Sequence, residues 1–209
     1  MKQAAIAGLA AGAAMMIGGA LAAVSDRGLS DSKSLADSKP VADNSAEIMN
    51  PMIGGQAMLP DRDIMDNVNA SPLHSTFAAA LKDTGIFTAL KTNGQFTVFA
   101  PTNDAFAANG PQPKSSLARR MSYLIVPGRY DSQALLKLIN EAGGTARLRT
   151  AEGGVLIARM NGPTNIMVMD ERGNIANIAI YDVRDKNGVV HVVDHTLEPG
   201  GPARQVASN

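Results

Sequence analysis

Hydrophobic residues recur at helical spacing between residues 61 and 144. The clearest case begins at Ser71-Pro72, an N-cap and first-turn pair, and places Leu73, Phe77 and Leu81 at i, i+4 and i+8 before Gly85. The same kind of pattern predicts three more helices: one with Ile64, Met65 and Val68; one capped by Ser115 or Ser116, with Leu117, Met121, Leu124 and Ile125; and one capped by Asp131 or Ser132, with Leu135, Leu138 and Ile139.

The pattern changes after Thr145 to short apolar runs separated by glycine-containing turns. These runs are ARLRT, VLIARM, IMVMD, IANIAIYDV and VVHVVDHTL. Short runs bounded by turn residues are typical of β-strands joined by tight connections. The second half of the chain is therefore predicted to form an antiparallel meander.

One earlier segment, FTVFAPTNDAF at residues 96–106, combines strand and helix-start chemistry. Large side chains on both faces of Phe96–Phe99 predict a strand that is covered on both sides. Pro101 ends that strand, and Thr102 and Asn103 are good N-cap residues. The segment is predicted to be a strand, a sharp corner and a helix start.

Together these patterns predict an α+β domain over residues 61–200, with the strand at Phe96 joining the later sheet. Residues 1–22 are interpreted as a signal peptide, 23–60 as a flexible spacer followed by an irregular arm, and 201–209 as a loose tail.

The N-terminus carries the pattern of an export signal. Lys2 precedes an uncharged run from Ala4 to Ala20, and Ala20-Leu21-Ala22 offers a small-x-small cleavage site. An uncleaved anchor is the alternative, but the Ala and Gly content of the run favours cleavage and hence no stable membrane insertion. We expect a periplasmic, secreted or cell-surface protein.

Composition removes several classes of function. Lys plus Arg (19) balances Asp plus Glu (19), and aromatic residues make up only 4% of the 209 residues, so nucleic acid is disfavoured as a partner. The absence of Cys excludes disulfides, thiolate catalysis and Cys-ligated metals.

Two blocks, FTVFAPTNDAF at residues 96–106 and NGVVHVVDHTLEP at residues 187–199, resemble the two signature blocks of the fasciclin domain. The helix at residues 71–90 and SYLIVPG at residues 122–128 agree with that family in order along the chain. The positions assigned a signature or structural role are Phe99, Pro101, Thr102, Asn103, Phe106, Tyr123, Gly188, His191 and Asp194.

The resemblance implies helices packed against a β-wedge in a secreted or surface protein that mediates adhesion. It implies no enzyme and no cofactor. The expected function is an exported domain that contacts an envelope or matrix component, either protein or polysaccharide. The alternative is a carrier of a small hydrophobic ligand, because some fasciclin domains are reported to hold pigments and Met and Leu could line a groove.

The chain departs from the family pattern at two places. Tyr123 is present, but Leu124 stands where the family commonly has His. The Asp-Ile pair that some animal members use to contact integrins corresponds to Asp182-Val183, which is held as a candidate contact although an integrin is an improbable partner.

Histidine, methionine and arginine side chains supply the remaining candidate chemistry. His191 and His195 would share a strand face about 13 Å apart, too far for one metal ion, and His191 is interpreted as a core histidine bonded to backbone. Asp194 and His195 would point to opposite faces, which excludes a catalytic triad.

Met167 and Met169 are interpreted as core residues on one strand face. Arg147, Arg149 and Arg159 lie on adjacent predicted strands and could form a basic patch for an acidic polysaccharide. A solvated sheet face is the alternative, and the sequence alone does not fix the strand register.

Overall fold

The computed structural model describes residues 50–91, 94–108, 110 and 113–201. The predicted signal peptide, the spacer and residues 202–209 lie outside the described residues. No helix in the described part of the chain is long and apolar enough to cross a membrane.

Helices occupy the first half of this region, as predicted. They are α1 (Ile64–Ala70), α2 (Ser75–Asp83), α3 (Ile86–Leu90), α4 (Asn103–Ala107), α5 (Lys114–Tyr123) and α6 (Ser132–Glu141). The strands are β1 (Met52–Ile53), β2 (Gln56–Ala57), β3 (Phe96–Pro101), β4 (Ile125–Pro127), β5 (Thr145–Arg149), β6 (Val155–Asn161), β7 (Asn165–Met169), β8 (Ile175–Asp185) and β9 (Gly188–Val193).

Seven strands form one sheet in the order β4-β3-β9-β8-β7-β6-β5. All neighbouring pairs are antiparallel except β3 and β9, which run parallel. The predicted α+β class, the meander and the entry of the early strand into the later sheet are therefore confirmed.

β3 lies in the interior, and Thr97, Val98 and Phe99 are each fully buried. At the end of the strand, Thr102 caps α4 by accepting a hydrogen bond from the Ala105 backbone N–H at 3.2 Å. Burial of both faces and the capped helix start confirm the predicted strand, corner and helix.

Asn103 fastens the start of α2 to this corner. Its Oδ1 accepts hydrogen bonds from the Thr76 N–H at 3.0 Å and the Ser75 hydroxyl at 3.3 Å, and its Nδ2 donates to the Pro72 carbonyl at 2.8 Å. One side chain thus satisfies the Thr76 N–H, which the start of α2 leaves without an intrahelical partner, and also the Pro72 carbonyl.

β9 approaches β3 so closely that only glycine fits at its first residue. Gly188 pairs with Phe96, and a Cβ at Gly188 would lie 1.9 Å from the Phe96 carbonyl oxygen. The neighbouring Asn187 accepts from the Ile64 N–H at 2.9 Å and donates to the Leu90 carbonyl at 2.6 Å. The Asn187-Gly188 turn therefore joins the sheet to two helices.

The helix predicted to continue through Leu124 and Ile125 ends earlier, at Tyr123. Its N-cap residue is Pro113 rather than Ser115 or Ser116. Ile125 lies in β4, opposite Val98 of β3. Pro127 biases the residue before it toward extended backbone, and β-branched side chains favour a strand, so pairing with β3 overrides the helical spacing.

The predicted helix at residues 71–85 begins with a 3-10 turn over Pro72–His74. The tighter turn leaves Leu73 40% exposed and buries His74, whose Nδ1 lies 2.9 Å from the Ser71 hydroxyl. Burial lowers the pKa of His74 to about 4. The prediction that Leu73 lies in the core is therefore wrong, whereas Phe77 and Leu81 are fully buried, as predicted.

The arm predicted to be irregular contains the short hairpin β1–β2. Gly54 and Gly55 form its two-residue loop with φ of 62° and 79°, the left-handed backbone that this tight turn requires. Ile53 and Met58 are buried in the core cluster. Strands of two residues are too short to show an alternating pattern, so the sequence indicated only the glycine turn between them.

We expect Phe99→Ala to lower the free energy of unfolding by about 3–5 kcal/mol, because it removes a fully buried ring from the centre of the sheet. Urea unfolding measures this change. Leu73→Ala is the matched control, since Leu73 is 40% exposed and should change stability by less than about 1 kcal/mol. Equal losses in both variants would contradict the placement of Phe99.

We expect Asn103→Ala to lower stability by about 1–2 kcal/mol, since it leaves the Thr76 N–H and the Pro72 carbonyl without their side-chain partner. Asn103→Asp keeps the acceptor and should lose less. Thermal melts of the two variants compare them directly, and an alanine variant that melts like the parent would show that the corner is held by other contacts.

Candidate functional site

The register of the meander brings Arg147, Arg149 and Arg159 to one face of the sheet. Arg147 and Arg149 are two residues apart on β5, which is the edge strand. Arg159 on β6 is diagonal to Arg147, whose direct partner is Ile157. Alternate residues of a strand point to the same side, so the three guanidinium groups lie on the side opposite the core.

An apolar row crosses the same face. Arg147 pairs with Ile157, Ile157 with Met169, and Met169 with Ile175, so one row runs across β5, β6, β7 and β8. Ile175 is 41% exposed. We call this surface the arginine face; it consists of Arg147, Arg149, Arg159, Ile157, Met169 and Ile175.

None of the strand residues on the arginine face is acidic, although the Asp194 carboxylate binds Asn177 at the β8 end of the face. The remaining outward positions of these strands are Thr145, Val155, Asn161, Asn165, Met167 and Asn177. Within the described residues, the guanidinium groups of Arg147, Arg149 and Arg159 form no hydrogen bond or ion pair, and the Arg159 Nε is buried without a partner. This face therefore has cationic groups available for an external anion.

Met167 is buried, as predicted, but on the outer side of the sheet and outside the main core cluster, whereas Met169 is not a core residue, contrary to the prediction. Ile166 and Val168 of the same strand fill the core instead. Met167 is covered on the outer side, where it lies opposite Arg159, and Met169 is half-buried. The alternation of side chains correctly predicts that Met167 and Met169 share one face of β7. Only the tertiary structure decides which face of β7 meets the helices.

His191 lies fully buried beside β3 and is held by three elements. Its ring stacks on Phe99 with centroids 5.6 Å apart and meets Tyr181 edge-on at 6.2 Å. Its Nε2 donates to the Tyr130 carbonyl at 2.8 Å, and its Nδ1 accepts from the Asp182 N–H at 3.4 Å. Burial lowers the pKa of His191, so the neutral imidazole is the form that fits here.

Asp182 and Val183 are engaged inside the protein. The Asp182 carboxylate accepts hydrogen bonds from the Ser132 N–H at 2.7 Å and the Ser132 hydroxyl. Asp182 has φ of 57° within the irregular part of β8, and Val183 is buried in the core. A buried Val183 offers no surface to a partner, which corrects its placement as a candidate contact residue.

The Tyr123 ring is fully buried at the end of α5. Its hydroxyl donates to the Val155 carbonyl at 2.8 Å and accepts from the Glu171 N–H at 3.2 Å. Burial raises the pKa of Tyr123, so the phenol stays protonated. The tyrosine thus ties α5 to two turns of the meander.

Pro101 is the last residue of β3 and is buried opposite Val193, while Phe106 packs, partly buried, on the core. These positions place the residues of the first signature block along the inside of the domain.

Asp194 and His195 touch, contrary to the prediction that they point apart. β9 ends at Val193, and the Asp194 Oδ1 lies 2.9 Å from the His195 Nδ1. The second partner of Asp194 is Asn177, through its N–H at 2.7 Å and its Nδ2 at 2.9 Å. No serine hydroxyl is hydrogen-bonded to this exposed pair within the described residues, so the pair lacks a nucleophile.

Two cavities among the described residues do not suit a hydrophobic ligand. A cavity of about 470 Å³ is lined by Arg119, Glu152, Glu171 and glycines, and Arg119 bridges Glu152 and the Gly200 and Gly201 carbonyls across it. An apolar cavity beneath the arm measures about 10 Å³, far below the size of a lipid or pigment site. Nowhere in the described ranges do three His, Asp or Glu side chains converge as metal ligands.

The carboxyl group of Asp185 is buried beneath the arm, at a position that the sequence pattern did not single out. The Asp185 Oδ1 accepts from Asn67, and Asn67 also binds the Leu59 N–H at 3.0 Å and the Leu59 carbonyl at 2.8 Å. The Asp185 Oδ2 is buried without a partner. Burial raises the pKa of Asp185 to about 7, while Asn67 and the charge of Arg129 oppose the rise. In the sequence Asp185 is only an acidic residue beside a predicted turn, and nothing there indicates that its carboxyl group is buried.

These features define an α+β domain with a structural interior and a cationic outer face on its sheet. The model of the fasciclin domain family matches residues 72–199, more than half of the chain. The chain belongs to the fasciclin domain family. Fasciclin domains are generally adhesion modules rather than enzymes and are typically extracellular or secreted.

Named relatives agree with this assignment. The chain is 32% identical over 136 residues to protein sll1483 of Synechocystis sp., covering 60% of this chain and 67% of that protein. It is 30% identical over 151 residues to periostin of Homo sapiens and 26% identical over 140 residues to transforming growth factor-beta-induced protein ig-h3 of Sus scrofa. These matches cover 68% and 67% of this chain but only 16% and 20% of the two animal proteins.

A solved structure shares the fold. It is a FAS1 domain pair from the insect cell adhesion molecule fasciclin I, with a TM-score of 0.51 and 21% identity. The match covers 60% of this chain and 45% of that chain.

We expect the contribution of Asp185 to stability to fall as pH rises from about 4 to about 7, because Asp185 is protonated when folded and ionised when unfolded in that window. The lowered pKa values of His74 and His191 act in the opposite direction, so the contribution of Asp185 is measured as the difference between the parent and Asp185→Asn. The slope is about 1.4 kcal/mol per pH unit for one proton. Asp185→Asn removes this contribution and should stabilise the protein at pH 8 relative to the parent, with little gain at pH 4. Urea unfolding at both pH values measures the difference, and a pH-independent effect of the substitution would contradict it.

Proposed function

We propose that the protein is an exported, non-enzymatic adhesion domain that contacts a component of the cell envelope or matrix. Family membership supports a general adhesion role, and the N-terminal sequence pattern supports export. The observation that carries the proposal is the arginine face, which is cationic, has Arg147 and Arg149 exposed and has no acidic residue among its strand positions.

The chemistry of the interior supports binding rather than catalysis. His191 is neutral, buried and held by Tyr130 and Asp182, so it is not placed to exchange protons with a substrate. Asp194 and His195 are accessible but lack a nucleophile among their hydrogen-bond partners. A rigid sheet that presents a fixed surface is suited to holding a partner.

Export and adhesion are tested together in the native strain. A fusion of residues 1–60 to a reporter that is active only after export should be active, whereas a fusion of residues 23–60 should not. A deletion strain should attach less to surfaces, and the full chain but not a form lacking residues 2–22 should restore attachment. Retention of the product in the cytoplasm, or unchanged attachment after deletion, would contradict the proposal.

A further inference from the structure

We propose that the arginine face binds an acidic polysaccharide, with Arg147, Arg149 and Arg159 holding its carboxylate or sulfate groups. This inference rests on the proposed function and names the class of partner and the surface that meets it. The notable feature is the juxtaposition of three arginines, none in an ion pair within the described residues, with an aliphatic row that is half-buried at Ile157 and Met169 and exposed at Ile175.

The spacing of the arginines suits an extended polyanion. Arg147 and Arg149 are separated by two residues along β5, about 7 Å, and Arg159 lies on the diagonal from Arg147, about 7–8 Å away. β5 is the last strand in the sheet order, and β4 lies near its far end, where the Ala151 N–H donates to the Ile125 carbonyl at 2.7 Å. Successive anionic groups of one chain could therefore reach all three guanidinium groups.

The charges around the face leave the arginines for an external partner. The nearby carboxylates of Glu152 and Glu171 are held by other groups: Glu152 binds Arg119 at 2.7 Å, and Glu171 accepts from the Gly200 N–H at 3.1 Å and from the Val155 N–H at 3.2 Å. Guanidinium groups bind carboxylates and sulfates with paired hydrogen bonds, which an ammonium group cannot reproduce.

The apolar row favours a polysaccharide over other polyanions. Ile157, Met169 and Ile175 offer an aliphatic surface to the C–H faces of sugar rings. The face has no aromatic side chain on which a nucleobase or a neutral sugar could stack, so binding depends on the acidic groups of the polymer.

The experiment measures binding of the full chain to immobilised polygalacturonate, with dextran as the neutral polymer and polyglutamate as the acidic polypeptide. The parent should bind polygalacturonate, bind polyglutamate much less and not bind dextran. The contacts are ionic, so binding should weaken as salt rises from 50 to 300 mM, concentrations over which screening of exposed charges increases strongly (the Debye length falls from about 14 to about 6 Å).

The variant Arg147→Gln/Arg149→Gln/Arg159→Gln should bind polygalacturonate about tenfold more weakly, because charge-assisted hydrogen bonds are lost. The control Arg62→Gln/Lys114→Gln/Lys186→Gln removes the same charge from exposed sites elsewhere and should keep parental binding. Replacing the three arginines by Lys should give an intermediate loss. Since Arg159 is half-buried, Arg147→Gln/Arg149→Gln provides a variant of two exposed residues, checked by its melting temperature.

Equal losses in the two triple variants, or equal binding to polyglutamate, would overturn the inference. So would a dimer that only the arginine substitutions dissociate, since the face would then be a contact between copies of this chain. If polygalacturonate is not bound while the deletion strain still loses attachment, the adhesion function stands and the polysaccharide inference fails.

Discussion

The parallel pairing of β3 with β9 is the constraint on which the rest of the fold depends. It joins two segments that are far apart in sequence, and such contacts cost chain entropy that must be recovered by packing. Gly188 allows the approach, because any side chain there would collide with the Phe96 carbonyl. Every other pairing in the seven-stranded sheet extends from this central pair: β4 on one side and the meander on the other.

His191 connects this pairing to the surrounding elements. It stacks on Phe99 of β3, accepts from the backbone of Asp182 in β8 and donates to the loop before α6. The left-handed backbone of Asp182 is an uncommon conformation for a residue other than glycine, and its two hydrogen bonds from Ser132 compensate for the strain. The irregular part of β8 is thereby fixed against α6.

The interior and the candidate binding surface are separate parts of the domain. The signature residues Phe99, Gly188 and His191 are buried at the centre of the sheet. The arginine face lies on the outer side of β5 to β8, where side chains can change without disturbing the β3–β9 pair. Because the two parts are separate, proteins that share this fold can bind different partners.

The sequence by itself determined the α+β class, the strand-to-helix corner at Pro101 and the meander, because these depend on local periodicity, capping and turn chemistry. It also placed three arginines on neighbouring strands. Tertiary structure alone decided that Ile125 leaves its helix for β4, that β7 turns Ile166 inward instead of Met167, and that Asp194 meets His195. Strand register, the inward face and the end of a strand are set by contacts between segments distant in sequence, which no local pattern contains.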